Sequence, residues 1–193
     1  MAGQVQAGES WSRSPWRVVI WGTAGLLLLV PLVAMQFSSG WNWSPFDFVA
    51  MGALLAGVCG TFELAARATV SKQYRAAVAI AVVASFLLIW MNAAAGIIGD
   101  EDNPANLLFG GVLLVAFLGS LGARFRATSM APVFVATALA QAAVGVIGVV
   151  SFREEPMKLL ALTGFFVGLW LVSAQLFRWA GKARVSTGRH PMA

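Results

Sequence analysis

The chain has 193 residues, of which 59% are apolar and 11% are charged, and its mean hydropathy is +0.79. A soluble domain carries about 25% charged residues, so these few charges exclude a soluble fold and predict one membrane domain. The net charge of +5 does not indicate nucleic-acid binding, because the basic residues cluster at the ends of apolar segments.

Six apolar segments of membrane-spanning length follow a polar N-terminal segment, residues 1–15. Ser14-Pro15, Ser44-Pro45 and Asn103-Pro104 each pair an N-cap residue with a proline suited to the first helical turn, so each predicts a helix start. A cleaved signal peptide is the alternative for the first segment, but its apolar run is too long and no A-x-A site follows. The predicted spans are 16–37, 46–66, 76–99, 105–123, 130–150 and 159–179, which form a membrane domain over 16–180 with a basic tail over 181–193.

The basic residues predict the orientation, because Lys and Arg accumulate in the cytoplasmic loops of membrane proteins. With both termini cytoplasmic, Arg153 and Lys158 are outside, and the other eleven of the 13 Lys and Arg residues are inside. The expected fold is therefore an all-α bundle of six transmembrane helices with both termini cytoplasmic. The inner set is Arg13, Arg17, Arg67, Lys72, Arg75, Arg124, Arg126, Arg178, Lys182, Arg184 and Arg189.

A weak internal repeat relates residues 52–69 to residues 111–128 at a constant offset, with identical residues at seven positions. The second and fourth spans cross the membrane in the same direction. The pattern therefore indicates a tandem duplication of helical hairpins, spans 2–3 and 4–5. Chance similarity between low-complexity helices is the alternative.

Small residues are expected to form the contacts between helices, because lipid offers no hydrophobic drive for helices to associate. Gly52, Ala56 and Gly60 form such a face on the second span. Gly164 and Gly168 form another on the sixth span, and Gly96 and Gly99 a smaller one at the end of the third. We expect these faces to pack inside the bundle.

Glu63 is the most informative polar residue, because an ionisable group inside a membrane span is costly and normally faces other helices. Arg67 follows at i+4, so a local ion pair is expected, and a binding or proton-transfer role is the alternative. Gln175 lies at a similar depth on the sixth span. Asn92 and Gln141, on the third and fifth spans, are expected to hydrogen-bond across helices. A polar binding site would use Glu63, Arg67, Asn92, Gln141 and Gln175.

The loop between the third and fourth spans is the most acidic run of the chain. Its carboxylates could attract Ca²⁺, but their spacing matches no calcium-binding loop, so a solvated turn is expected. The amides that follow, Asn103 and Asn106, could line an outward-facing polar pocket together with Asn92 and Gln141. The residues of this outer polar loop are Asp100, Glu101, Asp102, Asn103 and Asn106.

Several chemistries are excluded by the residues that the spans lack. The one histidine, His190, lies in the tail, so haem cannot be ligated by paired histidines within the bundle. The spans contain no lysine for a Schiff base, and no hydrolase, phosphate-binding or Cys-x-x-Cys motif occurs. Cys59 is the single cysteine, so it forms no internal disulfide and is expected to pack as a small apolar group. We expect no catalytic residue, no metal and no cofactor.

The segment LLIWMNAAAGIIGDEDNPANLLFGGVLL (87–114), with ELAAR (63–67) and YRAAV (74–78), resembles small six-helix membrane proteins of Gram-negative bacteria that have no assigned activity. The resemblance covers most of residues 16–150 and implies a multi-pass protein of the bacterial inner membrane. It implies no catalytic residue.

Three functions are compatible with these patterns. The first is a non-enzymatic module that associates with itself or with another membrane protein. The second is a carrier or binder of a small molecule or ion that uses Glu63, Asn92 and Gln141. The third, an enzyme acting on a lipid or quinone-like substrate, has the least support.

Overall fold

The computed structural model describes residues 15–38, 42–99, 102–152 and 156–187. These residues form six α-helices and one short 3-10 helix, and each span meets the length and hydropathy that a membrane crossing requires. The predicted all-α fold with six spans is confirmed. The helices are α1 (Pro15–Phe37), α2 (Pro45–Ala68), α3 (Lys72–Ala95), α4 (Leu107–Gly122), α5 (Ala127–Phe152) and α6 (Pro156–Thr187), with the 3-10 helix at Pro104–Asn106.

The helix starts follow the predicted capping residues where the structure describes them. Ser44 and Asp47 form a capping box before α2, in which the Ser44 N–H donates to Asp47 Oδ2 at 2.7 Å and the Asp47 N–H donates to Ser44 Oγ at 3.3 Å. Asn103 Oδ1 accepts the Ala105 N–H at 2.9 Å and so starts the 3-10 helix that leads into α4. Ser14 lies outside the described residues.

The helix bounds differ from the predicted spans most at α3, α5 and α6. α3 begins at Lys72 and ends at Ala95, four residues before each predicted bound of the span 76–99. α6 has 32 residues and continues to Thr187, beyond the predicted end of the sixth span at residue 179. α5 begins at Ala127, three residues before the predicted start at residue 130, so Pro132 lies inside the helix. The apolar run marks only the part of a helix that lies in lipid. Arg, Lys and Ala are good helix formers, so the α6 backbone can continue into water beyond that run.

The chain divides into two compact units, Met1–Leu64 and Ala65–Ala193. In the first unit, α1 and α2 form an antiparallel hairpin. Leu28 contacts Gly52, and the Cys59 thiol donates to the Ile20 carbonyl at 3.9 Å. Cys59 is buried, as expected, and a sulfur–carbonyl contact of this length adds little to its apolar packing.

In the second unit, α6 is the central helix and packs against α3 and α5, while α4 packs against α5. Three aromatic side chains of α6 are fully buried, namely Phe166, Trp170 and Phe177. The Ser173 hydroxyl donates to the Ala77 carbonyl at 3.0 Å, and the Tyr74 ring meets Phe177 edge-on. These contacts set the antiparallel register of α3 and α6.

The glycines that bring helices together in this unit are not the predicted ones. A Cβ placed on Gly145 would overlap Thr163, and one placed on Gly148 would lie 2.6 Å from a Leu159 methyl. Gly164 and Gly168 are predicted to pack inside the bundle. A Cβ placed on either of them would have no atom of their unit within 4 Å. Their packing inside the bundle therefore stays a prediction, since spacing reveals a small face but not the direction in which it points.

Gly96 and Gly99 also differ from their predicted role. Gly96 caps the C-terminus of α3 with a φ of 66°, and Gly99 has a φ of 69°. L side chains rarely adopt this backbone region, so these glycines allow the chain to turn away from α3.

The two copies of the proposed repeat have different local structure at their ends. Arg67 lies in the last turn of α2, whereas its counterpart Arg126 precedes the first turn of α5. The tandem duplication stays a prediction.

Candidate functional site

A buried ion pair joins α1 and α2 in the first unit. Glu63 is 8% exposed, and its Oε1 lies 2.7 Å from Arg17 Nη2. The Trp21 indole N–H donates to Glu63 Oε2 at 3.2 Å. The carboxylate therefore faces the neighbouring helix, and its charge is compensated by a residue 46 positions earlier in the chain.

The sequence identified Glu63 but not its partners on α1. From the sequence, Arg17 is interpreted only as one of the basic residues that set the orientation, and Trp21 is not singled out. Helical spacing identifies only partners on the same helix, such as Arg67. The Arg67 side chain is exposed, and its pairing with Glu63 stays a prediction.

The amides near the α3–α4 connection stabilise the backbone. Asn106 is buried, and its Oδ1 accepts the N–H groups of Ile97 and Ile98 at 3.0 and 2.9 Å. Asn103 caps the 3-10 helix. These two predicted pocket residues thus have structural tasks. Asp102 is exposed, and Asp100 and Glu101 lie outside the described residues.

Asn92 does not make the expected hydrogen bond between helices. Its Nδ2 donates to the Leu88 carbonyl of its own helix at 2.7 Å. Its Oδ1 is buried and has no hydrogen-bond partner. Gln175 lies on α6 with an exposed side chain, and its part in a polar site with Glu63 stays a prediction.

A group of buried polar side chains lies where α5 meets α6. Gln141 is 1% exposed and Trp170 is fully buried. Three buried side-chain atoms at this interface have no hydrogen-bond partner, namely Gln141 Oε1, Thr163 Oγ1 and Trp170 Nε1. Gly145 contacts Thr163, and Phe134 stacks on Trp170. Since α5 and α6 are antiparallel, Gln141 lies level with the α6 turns between Thr163 and Trp170.

This polar cluster, Gln141, Thr163 and Trp170, combines an unused acceptor with an unused donor. Gln141 Oε1 can only accept a hydrogen bond, and the Trp170 indole N–H can only donate one. A buried polar group without a partner destabilises a fold by about 1–3 kcal/mol. Neither atom is satisfied within the described residues, and each would be satisfied by a group of the opposite hydrogen-bonding type. The sequence identified Gln141 alone, because Thr and Trp are common packing residues.

The described residues, 15–38, 42–99, 102–152 and 156–187, contain no group of three His, Cys, Asp or Glu side chains that could hold a metal ion.

No protein-family model matches the chain, and neither a curated protein nor a solved structure is significantly similar to it.

Proposed function

We propose that this chain is a non-enzymatic module of the bacterial inner membrane, with both termini cytoplasmic, that associates with a second copy of itself. The observation that carries the proposal is a stripe on α6 that contains two glycines one turn apart and faces away from the rest of the second unit. The engaged state of Glu63 supports a non-enzymatic role, since a carboxylate held by Arg17 and Trp21 is poorly placed to exchange protons with a substrate.

The association stripe consists of Gly164, Gly168, Leu171 and Gln175. Their spacing of four, three and four residues places them on one face of the helix. Gly164, Leu171 and Gln175 are exposed, and Gly168 is half-buried. This face points away from the buried side of α6 that carries Phe166, Trp170 and Phe177.

Glycine on a lipid-facing surface needs a physical reason. In a helix interior, glycine is about 1 kcal/mol less favourable than alanine. Two glycines four residues apart allow another helix to approach closely, which is the common basis of helix association in membranes. Gln175 adds an amide that can hydrogen-bond across such a contact.

Cysteine cross-linking in membranes tests this contact directly. In a Cys59→Ala background, Leu171→Cys places a thiol on the stripe, and Val172→Cys places one about 100° around the same helix. Leu171 and Val172 are similarly exposed, at 46% and 50%, so the two variants form a matched pair. We expect Leu171→Cys to form a disulfide-linked dimer at least five times faster than Val172→Cys.

Native mass spectrometry of the detergent-extracted protein provides the second measurement. We expect a dimer that Gly164→Leu and Gly168→Leu, introduced together, convert to a folded monomer. A monomeric wild-type protein combined with equal cross-linking of the two cysteine variants would overturn the proposal.

The polar cluster supports a second candidate function, the binding of a small polar molecule within the second unit. Three buried polar atoms without partners at one helix interface are unusual, because most such atoms in folded proteins are hydrogen-bonded. A bound molecule that donates to Gln141 Oε1 or accepts from Trp170 Nε1 would satisfy at least one of them.

Native mass spectrometry also tests this second function. We expect wild-type protein to retain a small adduct, and Gln141→Met to lose it while keeping a cooperative thermal transition. Gln175→Met, which changes an exposed glutamine of the same unit, is the control and should retain the adduct. If the wild-type protein carries no adduct, the binding function has no support.

A further inference from the structure

The end of the second unit at which α3 begins and α6 ends carries a concentration of positive charge. We call it the basic end and define it by the cationic residues Lys72, Arg75, Arg124, Arg126, Arg178 and Lys182. The five carboxylates of residues 65–193 lie elsewhere in sequence, in the α3–α4 and α5–α6 connections. Among the described residues of its own unit, the basic end therefore has no carboxylate to compensate its charge.

Arg75 shows how one of these charges is used internally. Its Nε donates to the Thr69 carbonyl at 2.8 Å, and its Nη2 donates to the Ala66 carbonyl at 2.6 Å. A cation at these carbonyls is favourable, because the last carbonyls of α2 carry partial negative charge. The Arg75 guanidinium thus stabilises the backbone of the α2–α3 connection.

A cavity of about 210 Å³ opens beside Arg124 at this end. Its polar lining comes from Thr69, Ser71, Tyr74 and Arg124, and its apolar lining from Phe125 and three alanines. Since one water occupies about 30 Å³ in the liquid, the cavity has room for a group as large as phosphate.

The wall that carries Arg124 is held in an unusual backbone conformation. Arg124 and Phe125 have φ angles of 50° and 54°, in the left-handed region that non-glycine residues seldom adopt. The Tyr74 hydroxyl donates to the Phe125 carbonyl at 2.7 Å. The N–H groups of Arg124 and Phe125 donate to Leu121 and Ser120. This bonding fixes the position of Arg124 at the cavity.

The donors that remain for a ligand are side-chain groups. The Arg124 guanidinium has no ion-pair or hydrogen-bond partner among the described residues, and its five N–H groups suit the oxygens of a phosphate. The Thr69 Oγ1 accepts the Ser71 N–H at 3.1 Å, which leaves the Thr69 hydroxyl hydrogen to donate. A guanidinium and a hydroxyl in one cavity, without a carboxylate, are typical of an anion site.

We propose that this cavity binds a phosphate group through Arg124 and Thr69. The group can belong to the headgroup of an anionic lipid or to a soluble phosphate, since both offer the same charged oxygens. Basic cavities between transmembrane helices on the cytoplasmic side commonly bind anionic headgroups. The site does not depend on self-association through α6.

Thermal unfolding of the full chain under matched conditions tests the site and its source. One arm compares nanodiscs of phosphatidylglycerol with nanodiscs of phosphatidylcholine, and the other compares sodium phosphate with sodium chloride at equal ionic strength in detergent. We expect the wild-type Tm to rise by at least 4 °C in one or both arms. A rise only with phosphatidylglycerol identifies a lipid headgroup, and a rise with sodium phosphate identifies soluble phosphate as a ligand.

Three variants separate a defined site from general attraction to a basic surface. Arg124→Asn removes the guanidinium and suits the left-handed backbone, so the protein stays folded, and Thr69→Val removes the hydroxyl with little change in shape. We expect each to lose at least half of the rise in Tm. Arg178→Gln removes a charge two residues before the cavity-lining Ala180, on the opposite side of α6, and should keep the full rise. Equal losses in Arg124→Asn and Arg178→Gln, or no rise in the wild type, would overturn the proposal.

Discussion

Glu63 and Arg17 hold the α1–α2 hairpin in register. Their side chains are 11% and 29% exposed, so the carboxylate is nearly desolvated while the guanidinium keeps partial access to the membrane surface. An ion pair of this kind contributes modestly when intact, because desolvation offsets much of the attraction. Removal of one partner is far more damaging, since the other charge then stays uncompensated in an apolar environment.

We expect Glu63→Gln to lower the free energy of unfolding by about 2 kcal/mol, and Arg17→Gln by less, because Arg17 lies closer to water. The double variant should be less destabilised than the sum of the two, with a coupling of about 1–3 kcal/mol. Denaturation in mixed micelles measures all three values. Additive effects would show that the pair does not stabilise the hairpin.

Gln141 differs from Glu63, because no hydrogen bond from the described residues compensates the burial of its side-chain oxygen. The side chain is 1% exposed, and its Oε1 has no partner. If nothing is bound, an apolar residue of similar length is preferable at this position, because the unpaired oxygen is removed and the packing is kept.

We therefore expect Gln141→Met to raise the Tm of ligand-free protein in detergent, through a gain of about 1–2 kcal/mol in unfolding free energy. Differential scanning calorimetry measures the change. Thr137→Val is the control: Thr137 is buried one turn away, but its hydroxyl already donates to the Val133 carbonyl at 3.0 Å, so no gain is expected. A lower Tm for Gln141→Met would mean that the amide is satisfied in the native protein.

At the scale of the helices, the second unit contains two kinds of glycine, which differ in whether a neighbouring helix packs against them. Gly119, Gly145 and Gly148 allow close approach between neighbouring helices, as the overlaps that a Cβ would produce show. Gly164 and Gly168 lie where a Cβ would meet no atom of the unit. The same residue type thus serves internal packing in α4 and α5 and an outward surface in α6.

Substitution by alanine distinguishes the two kinds. Gly145→Ala should lower the free energy of unfolding by about 1–3 kcal/mol, because the added methyl group overlaps Thr163. Gly164→Ala should leave it unchanged or raise it by up to about 1 kcal/mol, since alanine is the better helix former. Reversible unfolding in detergent, at concentrations where the protein is monomeric, compares the two. Equal effects would contradict this division of the glycines.

The number of helices and several of their starts follow from the sequence, because span length and the capping residues Ser44 and Asn103 act locally. The contacts between helices do not follow in the same way. Helical spacing gives Glu63 a candidate partner at Arg67, but it cannot reveal Arg17, which pairs with Glu63 from another helix. Helices that are apolar on all sides carry no polar face to indicate how they are rotated, so the inward direction of Gly145 and the outward direction of Gly164 depend on the assembled fold.

At the scale of the whole molecule, the predicted orientation places the turn at Asp102 and the end of α6 on opposite sides of the membrane. In a Cys59→Ala background, we expect Asp102→Cys to react with a membrane-impermeant maleimide added outside the inner membrane. Lys182→Cys should react only after the membrane is permeabilised. Both positions are exposed, so access to the reagent decides the result. Labelling of both from the same side would refute the topology.

The length of α6 has a mechanical consequence. Its 32 residues measure about 48 Å at about 1.5 Å each, whereas the hydrocarbon layer is about 30 Å thick. A helix that starts at one face of that layer and stands upright rises about 18 Å past the other, well beyond one layer of headgroups. Thr187, the last residue of α6, thus lies beyond the hydrocarbon layer, and its distance from the bilayer decreases as α6 tilts.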